Sequence, residues 1–169
     1  NAYQGFANLG YYKKAVPYQK IQYDLTSYVN DTPAKLVMKP TTAYLINSML
    51  HDVFKGSTFD QKNTYMMAKT GQTNFDQATI KKYHLPWNAT KDSLLIAYTK
   101  DMTIGVWVGY EKISDGKFLD YYKKNIPRSI MKLLLDTFAK KGQYYEEIEG
   151  INKSYITIYD NQAYLAKDY

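Results

Sequence analysis

The apolar positions change period several times along this 169-residue chain. Ala2, Tyr3, Phe6 and Ala7 recur at the spacing of one helical face, and Gly10 would end that helix. Two helical turns are marginal without packing partners, so the chain reads as a piece cut from a larger protein. Residues 11–35 read as irregular or hairpin-like, with Tyr18–Tyr23 an exposed strand between Pro17 and Pro33. Pro40 suits a first helical turn, Ile46, Met49, Leu50 and Val53 predict an apolar stripe behind it, and Gly56 marks a stop. Tyr65–Gly71 is a strand-like run, and residues 72–91 read as a long surface loop able to rim a cleft. Ser93–Thr99 and Met102–Tyr110 are β-rich, joined by a tight turn at Lys100-Asp101. Gly105 and Gly109 in the second run predict bulges or close backbone approach. Pro127 opens another helix, with Ile130, Leu133, Leu134 and Phe138 on one face and Gly142 at its close. Ser154–Tyr159 alternates like a half-buried strand, Asp160-Asn161 turns, and Ala163–Ala166 would pair back.

Composition narrows the classes. The chain is long enough for one domain with a core, and its 45% hydrophobic content is ordinary for a globular protein. No run approaches the roughly 18 apolar residues of a membrane span, and no leader segment is visible. Without cysteine there are no disulfides and no thiolate metal sites. The net charge of +6 is built from lysine, with Arg128 the single arginine. That balance argues against specific base reading, where arginine's bidentate fork is the usual tool, and nucleic acid is not expected as a partner. A lysine-rich solvated surface accounts for the charge.

The chemistry concentrates at Lys69-Thr70-Gly71, where an apolar run delivers a cation, a hydroxyl and a glycine in succession. Downstream stand Lys91-Asp92-Ser93-Leu94-Leu95-Ile96-Ala97-Tyr98-Thr99 and Ile104-Gly105-Val106-Trp107-Val108-Gly109-Tyr110. This order resembles class A penicillin-binding proteins, where a Lys-Thr-Gly-Thr-Thr-Asn strand precedes Asp-Ala-Trp-Phe-Val-Gly-Tyr-Thr-Pro and Gly-Val-Trp-Val-Gly-Tyr-Asp. Ala2-Tyr3-Gln4-Gly5-Phe6-Ala7-Asn8-Leu9-Gly10 resembles that family's Ala-Tyr-x-x-Phe-Ala-Asn-x-Gly segment. Thr41–Leu50, with Val53 and Gly56, resembles the helix before its Lys-Thr-Gly strand.

The resemblance implies an α+β fold, an antiparallel sheet with packed helices forming the C-terminal portion of the transpeptidase domain. Residues 1–142 would be that portion, and 143–169 a C-terminal hairpin extension. It implies serine acyl transfer on peptidoglycan stem peptides ending in D-Ala–D-Ala, without metal or other cofactor. Penicillin and other β-lactams would acylate the same serine. Lys69 would attract the substrate carboxylate from a partly desolvated cleft edge, and Thr70 would offer it a hydroxyl. Gly71 would let substrate lie against the strand as an added edge. The Gln72 backbone N–H would be an oxyanion-hole donor, and Thr73 matches the family's second threonine. The parent would be a membrane-anchored wall synthase with a glycosyltransferase domain, acting outside the bacterial cytoplasmic membrane. The N-terminal part of the same domain would be the partner of this chain.

Two departures stand out. Gln72 replaces the threonine that usually follows the glycine, which removes a hydroxyl from the carboxylate clamp but leaves the backbone donor. No Ser-x-x-Lys precedes Lys69, and no Ser-x-Asn exists. Ser114-Asp115-Gly116-Lys117 and Ser129-Ile130-Met131-Lys132 match the first motif formally but lie after Lys69, and Tyr28-Val29-Asn30 is a chance match. The chain alone is therefore expected to be inactive. The rival reading is a non-catalytic module, binding wall polymer or a partner, with a relic Lys-Thr-Gly. His51 and His84 are isolated and make no metal site. Asp92 reads as a structural turn or strand residue.

Overall fold

A computed structural model describes residues 2–57 and 64–165. Helix α1 (Tyr3–Ala7) ends in a turn where Gly10 adopts a φ of +93°. A Cβ at Gly10 would run into the carbonyl oxygen of Met38, so this position requires glycine. Two short strands, β1 (Tyr11–Tyr12) and β4 (Lys35–Leu36), pair around an exposed hairpin of β2 (Lys20–Tyr23) and β3 (Thr26–Val29). Helix α2 (Pro40–Phe54) follows, with Pro40 in its first turn as expected.

The centre of the molecule is a three-stranded antiparallel sheet in the order β5 (Met67–Asn74), β6 (Thr90–Tyr98), β7 (Thr103–Gly109). The three β-rich runs of the sequence are therefore adjacent strands, and the fold is the expected α+β. Lys69 pairs with Ile96, Gly71 with Leu94 and Thr73 with Asp92. Side chains alternate between the faces, so Ala68, Leu95, Ala97 and Val106 share one and Met67, Lys69, Gly71, Ile96 and Tyr98 the other. Helix α4 (Ile126–Phe138) packs Met131 and Leu135 on the first face, in a core with Met66 and Phe54. Burial of each such side chain contributes roughly 1.5–3 kcal/mol. On the second face Met67 and Tyr98 pack with Ala7, Tyr3, Phe6 and Leu50 of α1 and α2.

Four expectations are corrected. On α2 the inward positions are Ala43, Asn47 and Phe54, whereas Met49 and Val53 of the expected stripe are exposed, Val53 at 72%. The polar Asn47 decides this. Buried at 1% exposure, it accepts from the Tyr98 hydroxyl at 2.8 Å and donates to the Phe6 carbonyl at 2.8 Å. Hydropathy alone assigns an asparagine to the outside. On α4 the buried residues are Pro127, Met131 and Leu135, with Leu134 packed against the core, while Ile130, Leu133 and Phe138 are exposed. Its apolar positions span more than half the helix circumference, and the sheet covers only one flank. Residues 72–91 are not a single loop: 72–74 continue β5, and α3 (Gln77–Lys82) forms where Asp76 caps the Thr79 N–H at 2.9 Å. The C-terminal hairpin of β8 (Ile156–Tyr159) and β9 (Gln162–Leu165) turns at Asp160-Asn161 as expected, but both its faces are exposed. Ala166 lies outside the described residues.

Candidate active site

Strand β5 carries Lys69, Thr70, Gly71, Gln72 and Thr73 in one unbroken run. It is an edge strand: its one partner among the described residues is β6. Backbone groups of alternate residues turn to the same edge of a strand. The Lys69 ammonium donates to the Thr70 carbonyl at 2.7 Å. A carbonyl that accepts from an exposed side chain faces the open edge, and by alternation the backbone of Gln72 faces it too. The edge therefore offers donors and acceptors to an extended chain laid beside it.

Lys69 itself is exposed. The expected partly desolvated cleft edge is not present around it. Thr70 and Gly71 are half-buried, and Gln72 and Thr73 are exposed. A Cβ at Gly71 would meet Leu94 at 3.7 Å, an ordinary contact, so packing within the sheet does not demand a glycine there. Gly109 behaves in the opposite way. A Cβ there would collide with the Trp107 ring and come within 2.6 Å of Asp92 Oδ1. The indole lies back over this glycine to donate from Nε1 to Asp92 at 3.2 Å. Asp92 thus accepts from Trp107 on the neighbouring strand.

The formal Ser-x-x-Lys matches do not meet Lys69. Ser129 is exposed on α4, which packs on the sheet face opposite Lys69, and Lys132 is paired with Asp136 at 2.8 Å. Ser114 lies in a turn whose Gly116 has a φ of +70°. Among the described residues no group of histidine and acidic side chains could hold a metal ion. A cleft of about 540 Å³ opens on Lys69's side of the sheet, lined by Tyr3, Gln4, Asn8, Ile96 and Gly105. It contains the buried Gln4 Oε1, which has no hydrogen-bond partner among the described residues.

The root of β5 is held by residues that sequence reasoning left unassigned. His51, read as bland, donates from Nδ1 to the Met66 carbonyl at 2.9 Å and stacks on Tyr65 at 4.0 Å. Tyr98 and Tyr145 lie nearby, both with phenols pushed well above their ordinary value by burial. Neutral phenols there act as hydrogen-bond donors: Tyr98 to Asn47, and Tyr145 to the Ala7 carbonyl at 2.7 Å.

Comparison with known proteins matches residues 1–136 to the penicillin binding protein transpeptidase domain. Penicillin-binding protein 1A/1B of Bacillus subtilis (strain 168) is 26% identical over 170 residues, covering 98% of this chain and 19% of that protein. Penicillin-binding protein 1A of Streptococcus oralis is 29% identical over 145 residues, covering 79% of this chain and 22% of that protein. Penicillin-binding protein 1A of Pseudomonas aeruginosa is 33% identical over 85 residues, covering 48% of this chain and 9% of that protein. The chain spans about a fifth of the first two relatives.

Proposed function

The chain belongs to the penicillin-binding protein transpeptidase family, and from that premise we propose that it supplies the Lys-Thr-Gly strand of a peptidoglycan transpeptidase. In the whole protein a serine Oγ attacks the amide carbon between the two terminal D-alanines. The final D-alanine leaves with a proton, and the acyl group passes to an amine of a neighbouring strand. That serine would come from the N-terminal part of the same domain, packed against this chain. The whole protein would be membrane-anchored and act outside the cytoplasmic membrane. Among the described residues no helix is long and apolar enough to cross a membrane.

One observation carries the reading. The motif lies on an open strand edge with the Thr70 carbonyl turned outward and the Lys69 ammonium beside it. A stem peptide laid along that edge would present its terminal carboxylate to Lys69 and to the Thr70 hydroxyl. The tetrahedral oxyanion would take the backbone N–H of Gln72, a donor worth roughly 3 kcal/mol in such sites. Gly71 leaves room for the peptide, and Thr73 would extend the polar edge. Lys69 is exposed in this chain. Packing of the remaining domain over it would strip water and strengthen its hold on a carboxylate. β-Lactams carry the same carboxylate and would acylate the same serine.

Lys69→Ala in the full-length protein tests this. It should sharply lower the acylation rate with both stem peptide and penicillin while leaving the melting temperature unchanged. Thr70→Ala should do less, since it removes a neutral donor rather than a charge. The isolated chain should take up no penicillin by intact mass. Acylation of Lys69→Ala at the wild-type rate, or a penicilloyl group on Ser129 or Ser114, would refute the reading.

A further inference from the structure

The family match ends at residue 136, yet the chain immediately beyond it is bound to Thr64 and Tyr65, just before the strand that carries the motif. After α4 the backbone crosses the root of β5. The Thr64 hydroxyl donates to the Lys140 carbonyl at 2.6 Å, and the Tyr65 N–H donates to the Gln143 carbonyl at 2.7 Å. The Lys140 ammonium pairs with Asp101 at 3.2 Å, in the turn between β6 and β7. Tyr145 then packs on the core cluster of Ala7, Met67 and Tyr98. Its hydroxyl donates to the Ala7 carbonyl, its ring meets the Tyr65 ring edge-on at 5.7 Å, and Lys100 sits over it at 5.6 Å. Tyr65 in turn stacks on His51, which holds the Met66 carbonyl one residue before β5. One short segment thus joins α1, the root of β5 and the β6–β7 turn. These elements lie up to 138 residues from it in sequence.

We propose that residues 139–145 form a strap that sets the position of the Lys-Thr-Gly strand, with Tyr145 as its positioning residue. The proposal rests on the transpeptidase reading for its catalytic consequence. Strand β5 has an open edge, so its registry against the reacting serine depends on what holds its root. Tyr145 packs on the core cluster of Ala7, Met67 and Tyr98 and acts on the motif through that cluster and through Tyr65 and His51. On this reading the transpeptidase body runs through residue 145, and the extension begins after it rather than at 143.

The test uses the full-length protein with Tyr145→Ala, Tyr145→Phe and, should the alanine variant not fold, Tyr145→Leu. Two readouts are taken: the rate constant and amplitude of acylation by a fluorescent penicillin, and hydrogen exchange across the sheet. Misplacement of a catalytic element by about 1 Å can cost on the order of a hundredfold in rate. Tyr145→Ala should lose about tenfold to a hundredfold in acylation rate at full amplitude. Its Met67, Lys69 and Gly71 amides, which face β6, should exchange faster, while those of β7 stay unchanged. Tyr145→Phe keeps the ring against Tyr65 and should restore both. A wild-type acylation rate with unchanged β5 exchange would overturn the strap. So would a uniform rise in exchange across all three strands with only amplitude lost, because that marks general destabilisation. A wild-type protein that takes no penicillin, in which Tyr145→Ala still loosens β5 alone, would refute the transpeptidase reading and support the strap.

Discussion

Replacing Gly71 by alanine separates what the fold asks of the Lys-Thr-Gly strand from what catalysis asks. The backbone at Gly71 has no left-handed φ, and the new Cβ would lie 3.7 Å from Leu94 Cβ and 4.0 Å from its Cδ2. Both are ordinary contacts, so nothing must shift. Alanine also restricts the unfolded chain, which stabilises by about 0.4–1 kcal/mol where the native backbone accepts it. For a chain of this size that raises the melting temperature by roughly 1–4 °C, and by less in the longer full-length protein. The same methyl group would stand on the face of Lys69 and Thr73, against the edge proposed for the stem peptide. Displacing the scissile carbonyl from the Gln72 N–H would then cost about 10²–10³-fold in acylation, the scale of one lost oxyanion-hole donor. Gly109→Ala is the control. Its Cβ would strike the Trp107 ring and Asp92, so both side chains must shift and their hydrogen bond is lost, at about 0.5–1.5 kcal/mol. It lies two strands from the open edge, so stability should fall and acylation persist. The assay is second-order acylation of the full-length protein by a fluorescent penicillin, with thermal melting alongside. A Gly71→Ala variant that melts lower and acylates normally would show that this glycine serves the fold, and the edge argument would fail.

Tyr98→Phe should cost about 1–3 kcal/mol in urea denaturation, because Asn47 Oδ1 is left buried without its donor. An unchanged midpoint would mean that the Tyr98–Asn47–Phe6 link does not set the inward face of α2. Acid should loosen the strap. Asp101 is held below the usual carboxylate range, first by the Thr99 hydroxyl and then by Lys140. Its folded pKa lies below the unfolded value of about 3.9, so its stabilisation is present above that pH and is lost as pH falls through the folded value. Wild type should therefore melt above Asp101→Asn at neutral pH, with the gap closing in acid. A gap that persists at low pH would remove Asp101's charge from the account.

Much of this protein was legible in one dimension. The β-rich runs around Lys69, Leu95 and Val106 announced three strands because alternation and a two-residue tip leave few other arrangements. Lys69-Thr70-Gly71 could be picked out because the motif is contiguous, and a contiguous motif on a strand keeps its order in space. The positions of α1, α2 and α4 were legible too, but not the rotation of α2 and α4, and α3 was missed. On α2 a buried asparagine sets the inward face through partners 41 and 51 residues away, and no local pattern records such partners. On α4 the apolar arc is wider than the sheet it covers, so the pattern gives the helix and the sheet chooses the flank. The strap was hidden for the same reason. Lys140 and Gln143 contribute backbone carbonyls to it, which any residue possesses, and Tyr145 is one tyrosine among 19 until folding brings it against Ala7 and Tyr65. Local sequence determined which residues are the candidates for chemistry and where the central strands and the helices α1, α2 and α4 lie, since both follow from neighbours along the chain. Only the tertiary structure decided which faces are buried and what meets the root of the Lys-Thr-Gly strand, because those depend on contacts between residues far apart in sequence.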